Sequence, residues 1–195
     1  SVSLINQKNV LVASEGDLLF TDKGISGTAV FALSSYYHKA EGNSPVSVSV
    51  DFLPAMDREQ VGNTIKFHKE NFGELPASEV FVGLLQNRLG RMAVKYAGVD
   101  MNKPMRDITP AEEQRLIDAA MSFSMNITGT DGFDDAQVTA GGVNTNEVNP
   151  QTMESLLCPG LYISGELLDV DAPCGGYNLQ WAWASALAIG EELIL

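Results

Sequence analysis

Two glycine pairs, Gly141-Gly142 and Gly175-Gly176, and a glycine followed by an acid, Gly165-Glu166, are the clearest chemical signals in this 195-residue chain. Ala136 to Ala140 reads as a strand running into the first pair, and Gly160 to Glu166 as a buried strand stopping at glycine. The second pair precedes a helix-forming run, Tyr177 to Ile194. Strand, glycine loop and helix is the layout of a phosphate or cofactor site. Glycine lets backbone approach a ligand, and a helix start offers free N–H groups and positive potential. For Gly141-Gly142, a tight turn explains the same residues.

Other reactive side chains are sparse. Asp134-Asp135 and the alternating Asp169 and Asp171 have no histidine or metal ligand beside them in sequence, so a solvated surface competes with a hydrolytic pair. Cys158 and Cys174 belong to no CxxC pair, and His38 and His68 stand alone, which predicts no metal site. The methionines read as core filling. The chain has no GxGxxG, GxxxxGK[ST], HExxH or GxSxG. No residue stands out as a general acid or base, and the catalytic residues stay unassigned.

Composition sets the frame for these residues. Hydrophobic residues make up 45% of the chain, and 25 acids against 12 bases leave a formal charge of -13. A field of that sign repels phosphodiester backbones, so nucleic acid is not an expected partner. No run approaches the ~20 apolar residues of a membrane helix, and no basic-then-apolar leader opens the chain. Two cysteines suit a reduced, cytoplasmic protein. The chain starts at Ser1 and enters strand-like sequence at once, as a portion of something longer would.

The elements that must carry the site are expected in three blocks. Val2 to Ile5, Asn9 to Val12 and Asp17 to Thr21 read as short antiparallel strands around a turn at Asn6-Gln7-Lys8, and Thr28 to Leu33 as a buried helix. Val46 to Leu53 alternates as a half-buried strand. From Asp57, a possible N-cap, the spacing turns helical through Val61, Ile65 and Phe67 to Phe72. Ser78 repeats the signal ahead of Phe81, Val82, Leu84, Leu85 and Leu89, with Arg88 and Arg91 near the end. Thr109-Pro110-Ala111-Glu112 has the form of a capping box. Phe123 to Thr128 returns to strand. A helical subdomain over about 57–122 follows.

Several of these segments resemble one family. Val138-Thr139-Ala140-Gly141-Gly142-Val143, Thr152-Met153-Glu154-Ser155, Pro159-Gly160-Leu161-Tyr162, Gly165-Glu166-Leu167-Leu168-Asp169-Val170-Asp171 and Gly175-Gly176-Tyr177-Asn178-Leu179-Gln180 look like the closing segment of bacterial NAD(P)/FAD-dependent oxidoreductases, the aminoacetone-oxidase-like flavoproteins. Far upstream, Gly16-Asp17-Leu18-Leu19-Phe20-Thr21-Asp22-Lys23-Gly24-Ile25-Ser26-Gly27 resembles the GELLFTxxGISGP element of that family's inserted domain. Thr28 departs from the family's proline, and Ala172-Pro173-Cys174 from its glycine and threonine.

The resemblance implies an α+β chain: residues 1–128 as an inserted domain with a small antiparallel β part and the helical subdomain, then 129–195 as the returning strand-loop-helix segment of a split Rossmann-like FAD domain. It implies FAD, a small-molecule substrate with NAD(P)H as a possible donor, and a missing N-terminal FAD-binding segment without which this chain is inactive and binds no flavin. The family's motifs assign Gly141, Gly142, Gly165, Glu166, Asp169, Gly175, Gly176, Tyr177, Asn178 and Leu179 to the cofactor, with Glu166 either on a ribityl hydroxyl or a surface acid. Cys174 either faces the flavin or is passive. An orphaned C-terminal segment would repack, lose order or enter a homo-oligomer. The competing readings are a cofactor-free interaction or regulatory module that keeps the fold, and a scaffold whose acidic surface meets a basic partner.

Overall fold

A computed structural model of the chain describes residues 1–7, 9–40 and 45–194, with residues 38–40 described by their backbone. The predicted turn at Asn6-Gln7-Lys8 therefore includes one residue, Lys8, outside the described ones.

Strands β1 (Val2–Asn6), β2 (Asn9–Ser14), β5 (Val46–Val50) and β6 (Phe123–Asn126) form an antiparallel sheet in the order β2-β1-β5-β6. The Val-Ser alternation decides which face is inside. Val46, Val48 and Val50 are buried and the serines between them are not, and the register sets Val2 opposite Val50 and Leu4 opposite Val48. Helix α1 (Thr28–Ala40) covers that face with Ala29, Leu33 and Tyr37, spaced four residues apart on one side.

A separate ribbon, β3 (Leu19–Phe20) and β4 (Ile25–Ser26), is fastened to the start of α1. Gly27 has φ +113°, and a Cβ there would stand 2.3 Å from the Asp17 carbonyl oxygen, so only glycine fits the crossing. The Asp17 N–H donates to Thr28 Oγ1 at 3.1 Å, and the Asp17 carbonyl accepts from the Ala29 N–H at 3.3 Å. Thr28, the departure from the family's proline, thus supplies an acceptor that proline lacks.

The helical unit is spliced between the neighbouring strands β5 and β6. Helix α2 (Arg58–Asn71) begins in a capping box of Asp57 and Gln60, and α4 (Pro110–Met121) in one of Thr109 and Glu112 with Pro110 in the first turn. The Glu112 carboxyl is lowered to about 2 by its hydrogen bond from Lys103 and by the Thr109 N–H and hydroxyl. The expected helix from Ser78 is absent. Residues Ala77–Glu79 make a single 3-10 turn, Gly83 adopts φ +84°, and α3 (Asn87–Tyr96) starts only beyond it, under a cap from the Gln86 side chain. A left-handed residue interrupts the helical hydrogen-bond chain, so the apolar run 81–85 folds as consecutive turns. Phe67 and Phe72, expected on the buried face of α2, are exposed.

Beyond β6 the chain is held by isolated bridges and turns up to helix α5 (Tyr177–Ile194). Ala136 to Ala140, expected as a strand, is exposed throughout and pairs with no strand. The expected strand over Gly160 to Glu166 is reduced to one bridge, Glu154 to Tyr162, followed by a 3-10 turn at Gly165–Leu167. A strand needs a neighbour to satisfy its alternate N–H and C=O groups, and here the neighbour contributes one residue.

Candidate functional site

The glycine turns singled out by sequence fall into two connected groups. Gly141-Gly142 is drawn to the 165–167 turn: the Val143 N–H donates to the Leu167 carbonyl at 2.8 Å and the Asp169 N–H to the Val143 carbonyl at 2.9 Å. Glu166 closes the same contact, because its carboxylate accepts a short hydrogen bond from the Thr139 N–H. Gly165 is then tied to α5: its N–H donates to Ser185 Oγ at 2.9 Å, and its carbonyl accepts from Trp181 Nε1 at 3.1 Å. At the start of α5, Asn178 exchanges two 2.9 Å hydrogen bonds with the Ala172 backbone and so fixes the loop that carries Asp171, Cys174 and Gly175-Gly176.

The glycines differ in what they serve. At Gly142 a Cβ would meet the Leu167 carbonyl oxygen at 2.6 Å, so the chain's own packing accounts for that residue. At Gly141 and Gly176, with φ +95° and +92°, a Cβ would meet nothing within 4 Å. The same open space stands before Gly83, Gly98 and Gly160, so at Gly141 and Gly176 it leaves room for an external ligand without requiring one. Helix α5 adds donors there. The first of its N–H groups bonded to the preceding loop is that of Gln180, to the Gly176 carbonyl at 3.0 Å, and among the described residues those of Tyr177, Asn178 and Leu179 have no backbone acceptor, with no acid in the first turn. Such an edge suits an anionic or electron-rich group, as a dinucleotide's phosphates or a reduced flavin's pyrimidine would be.

Tyr177 and Leu179 lie exposed on α5, Asp169 is an exposed acid, and Cys158 and Cys174 are both exposed. The Tyr162 phenol is held above its usual range by partial loss of water and by Glu154 and Glu192, so it stays protonated. Among the described residues no cluster of His, Cys, Asp or Glu could hold a metal. A cavity of about 140 Å³ lies in the helical unit against Ser78, Glu79, Phe81 and Gly90, and none of the predicted site residues lines it. No helix among the described residues is long and apolar enough to cross a membrane.

Trp181 and Ser185 were not picked out by sequence, although they orient the Gly165 turn. The available signal was their i, i+4 spacing, which sets a donor and a hydroxyl on one side of α5. The single Ser185 O–H proton is directed at the Trp181 carbonyl at 2.8 Å and shared with that of Ala182 at 3.2 Å, so a buried hydroxyl is fully used.

An antiparallel sheet interrupted by a capped helical unit, and followed by a glycine-turn unit that opens a long helix, defines a composite α+β protein with an open backbone edge at its glycine turns. The chain belongs to the HI0933-like family: residues 1–138 match the family described as "HI0933-like protein barrel and H2TH domain". It is 39% identical over 192 residues to a 3-dehydro-bile acid delta(4,6)-reductase of Clostridium scindens, covering 97% of this chain and 47% of that protein. It is 36% identical over 192 residues to a ribosomal RNA dihydrouridine synthase of Escherichia coli, covering 98% of this chain and 46% of that protein. A protein of the same name from Haemophilus influenzae is 36% identical over 171 residues, or 88% of this chain and 40% of its own. The chain spans about half the length of the curated relatives it matches.

Proposed function

We propose that this chain is the substrate-side and closing portion of a flavin-dependent reductase that saturates a carbon–carbon double bond in a ring bearing a carbonyl. The observation that carries the cofactor assignment is the Gly175-Gly176 turn, with open space before Gly176 and the unbonded, acid-free N-terminus of α5 behind it. Bound there, FAD would supply hydride transfer, taking two electrons from NAD(P)H or another donor and passing them to the alkene. The chain's own residues hold the edge: Asn178 sets the loop, while Trp181 and Ser185 fix the Gly165 turn beside it. The relatives' names support the reaction class. One specifies loss of unsaturation at positions 4 and 6 of a 3-dehydro bile acid and the other the making of dihydrouridine. Both describe saturation of ring double bonds, at two electrons and two protons for each bond.

The narrower likeness to aminoacetone-oxidase-like flavoproteins rests on the sequence motifs. The reading places the other half of the flavin domain in a segment outside this chain, which would cover the exposed apolar side of α5. One observation favours the second reading, a cofactor-free module. Gly142, Gly165 and Glu166 are all used by the chain's own packing, so the fold would keep them without a flavin.

An FAD titration followed by flavin fluorescence separates the two. We expect no uptake by the chain alone and stoichiometric yellow flavin when it is co-expressed with the upstream half of a full-length relative. Colourless protein in both cases would reject the flavin reading, and in the flavin-loaded complex a failure of a 3-oxo-4-ene steroid or uridine to reoxidise the reduced flavin would reject the reaction class.

A further inference from the structure

Between the sheet and the glycine-turn unit the chain crosses residues 128–142, and every one of them is exposed. The segment leaves the sheet at Ile127, whose N–H donates to the Val46 carbonyl at 3.0 Å, and reaches the Gly165 turn where the Thr139 N–H meets the Glu166 carboxylate. It holds one regular element, the 3-10 turn Phe133–Asp135, closed by the Asp135 N–H on the Gly132 carbonyl at 3.1 Å and the Ala136 N–H on the Phe133 carbonyl at 3.2 Å. Immediately before that turn stands Asp131-Gly132. Among the described residues neither the Asp131 carboxylate nor the Gly132 N–H has a hydrogen-bond or ion-pair partner.

An aspartate followed by glycine can react with its own backbone. The glycine nitrogen attacks the aspartate Cγ, its proton and the carboxyl oxygen depart as water, and a succinimide ring closes. Water then adds to one of the two ring carbonyls. Opening on one side restores aspartate; opening on the other gives isoaspartate, whose main chain runs through the former side chain. The attack needs an amide that is not committed to a carbonyl, a residue without a Cβ to crowd the nitrogen, and a backbone free to turn. Asp131-Gly132 meets all three conditions. Of the twelve aspartates it alone precedes glycine, and no asparagine does. Several other aspartates are followed by amides already engaged. The Phe52 N–H after Asp51 donates to the Ala120 carbonyl at 3.0 Å, that of Ile108 after Asp107 to Met105 at 3.1 Å, and that of Ala172 after Asp171 to Asn178 Oδ1 at 2.9 Å.

We propose that Asp131-Gly132 is a site of covalent self-modification, at which the folded chain converts Asp131 to isoaspartate through a succinimide. Packing does not require the glycine: its φ of -77° suits any residue, and a Cβ there would meet nothing within 4 Å. The modification adds one atom to the main chain directly before the 3-10 turn and moves the carboxylate onto a different branch. Both changes fall in the stretch that carries the chain from β6 to Thr139 and the open Gly141, so the age of the molecule is written into the connection between its two units. The reaction uses only water and needs no flavin.

The test incubates the full 195-residue chain at near-neutral pH and body temperature and scores isoaspartate in two ways. A purified protein carboxyl methyltransferase transfers labelled methyl groups from S-adenosylmethionine to the isoaspartyl carboxylate, which counts the sites. Asp-N protease, which cuts before aspartate and passes over isoaspartate, locates them by mass spectrometry; trypsin would not, because no lysine or arginine lies beyond Arg115. We expect methyl acceptance that grows with incubation time, maps to position 131, and rises at a rate within a few-fold of that of a synthetic peptide of residues 128–136. Gly132→Ala should slow it several-fold with the circular dichroism unchanged, and Asp131→Glu should remove it, because the larger imide ring closes far more slowly. Ageing of the peptide without ageing of the folded chain would overturn the proposal. So would accumulation at another residue instead, or an undiminished rate in Gly132→Ala.

Discussion

The helical unit and the glycine-turn unit treat their apolar residues in opposite ways. From Leu53 through α4, sixteen buried residues form one continuous cluster, with Val61, Ile65, Val80, Val94 and Leu116 out of contact with water. The glycine-turn unit gathers four, Val148, Met153, Ile163 and Leu168, and its 18-residue helix buries Ser185 alone. Trp183 of α5 is 70% exposed, and Leu179, Leu187 and Leu193 are exposed with it. Helices as apolar as α5 are ordinarily enclosed on all sides. The first unit thus draws its stability from its own core, while the second is held by specific hydrogen bonds on one side and presents an unfinished apolar side on the other.

Substitutions can break or sharpen that contrast. Leu116→Ala empties a closed core and should cost about 3 kcal/mol in a denaturant titration, with unfolding of the helical unit. A loss under about 1 kcal/mol would mean the unit is looser than its burial indicates. Ser185→Ala leaves the buried Gly165 N–H without its acceptor and should cost about 1–2 kcal/mol, read as faster hydrogen exchange at Gly165 with the helical unit unaffected. Equal protection in the variant would show that the turn does not depend on α5.

Charge gives a smaller and pH-dependent effect. Because the folded Glu112 carboxyl sits at about 2 against an ordinary 4.5, its contribution is complete above about pH 4.5 and disappears as pH falls through about 2. Glu112→Gln should therefore lower stability by about 1 kcal/mol at pH 7, with thermal melts of the two proteins converging near pH 2. Leu187→Ala, on the open side of α5, should change the melting of this chain by less than about 0.5 kcal/mol. A large loss there would mean that α5 is already covered, by a second copy of the chain for instance, and a concentration-dependent melt would reveal it.

Local chemistry was legible in advance. The caps at Asp57 and Thr109, the Val-Ser alternation of β5 and the helix opening at Tyr177 each depend on residues a few positions apart, so the sequence displays them directly. The helix expected from Ser78 failed at Gly83, whose left-handed backbone outweighs a good apolar stripe. The strands expected at Ala136 to Ala140 and before Gly165 failed for a different reason: β structure exists only where a partner completes it. Among the site residues, the glycine turns were visible as letters, but their division into packing glycines and open ones was not. Gly142 and Gly176 read alike until the Leu167 carbonyl is placed against one and empty space against the other.

The sequence by itself thus determined the antiparallel strands, the capped helices, the family motifs and the total charge. The tertiary structure alone decided which apolar groups are covered and which stay open, since burial depends on partners elsewhere in the chain. It lined four aromatic rings from distant segments along one joint, and it left the apolar side of α5 open. The first joins residues far apart in the chain and the second turns on what packs against the helix, so neither follows from local sequence.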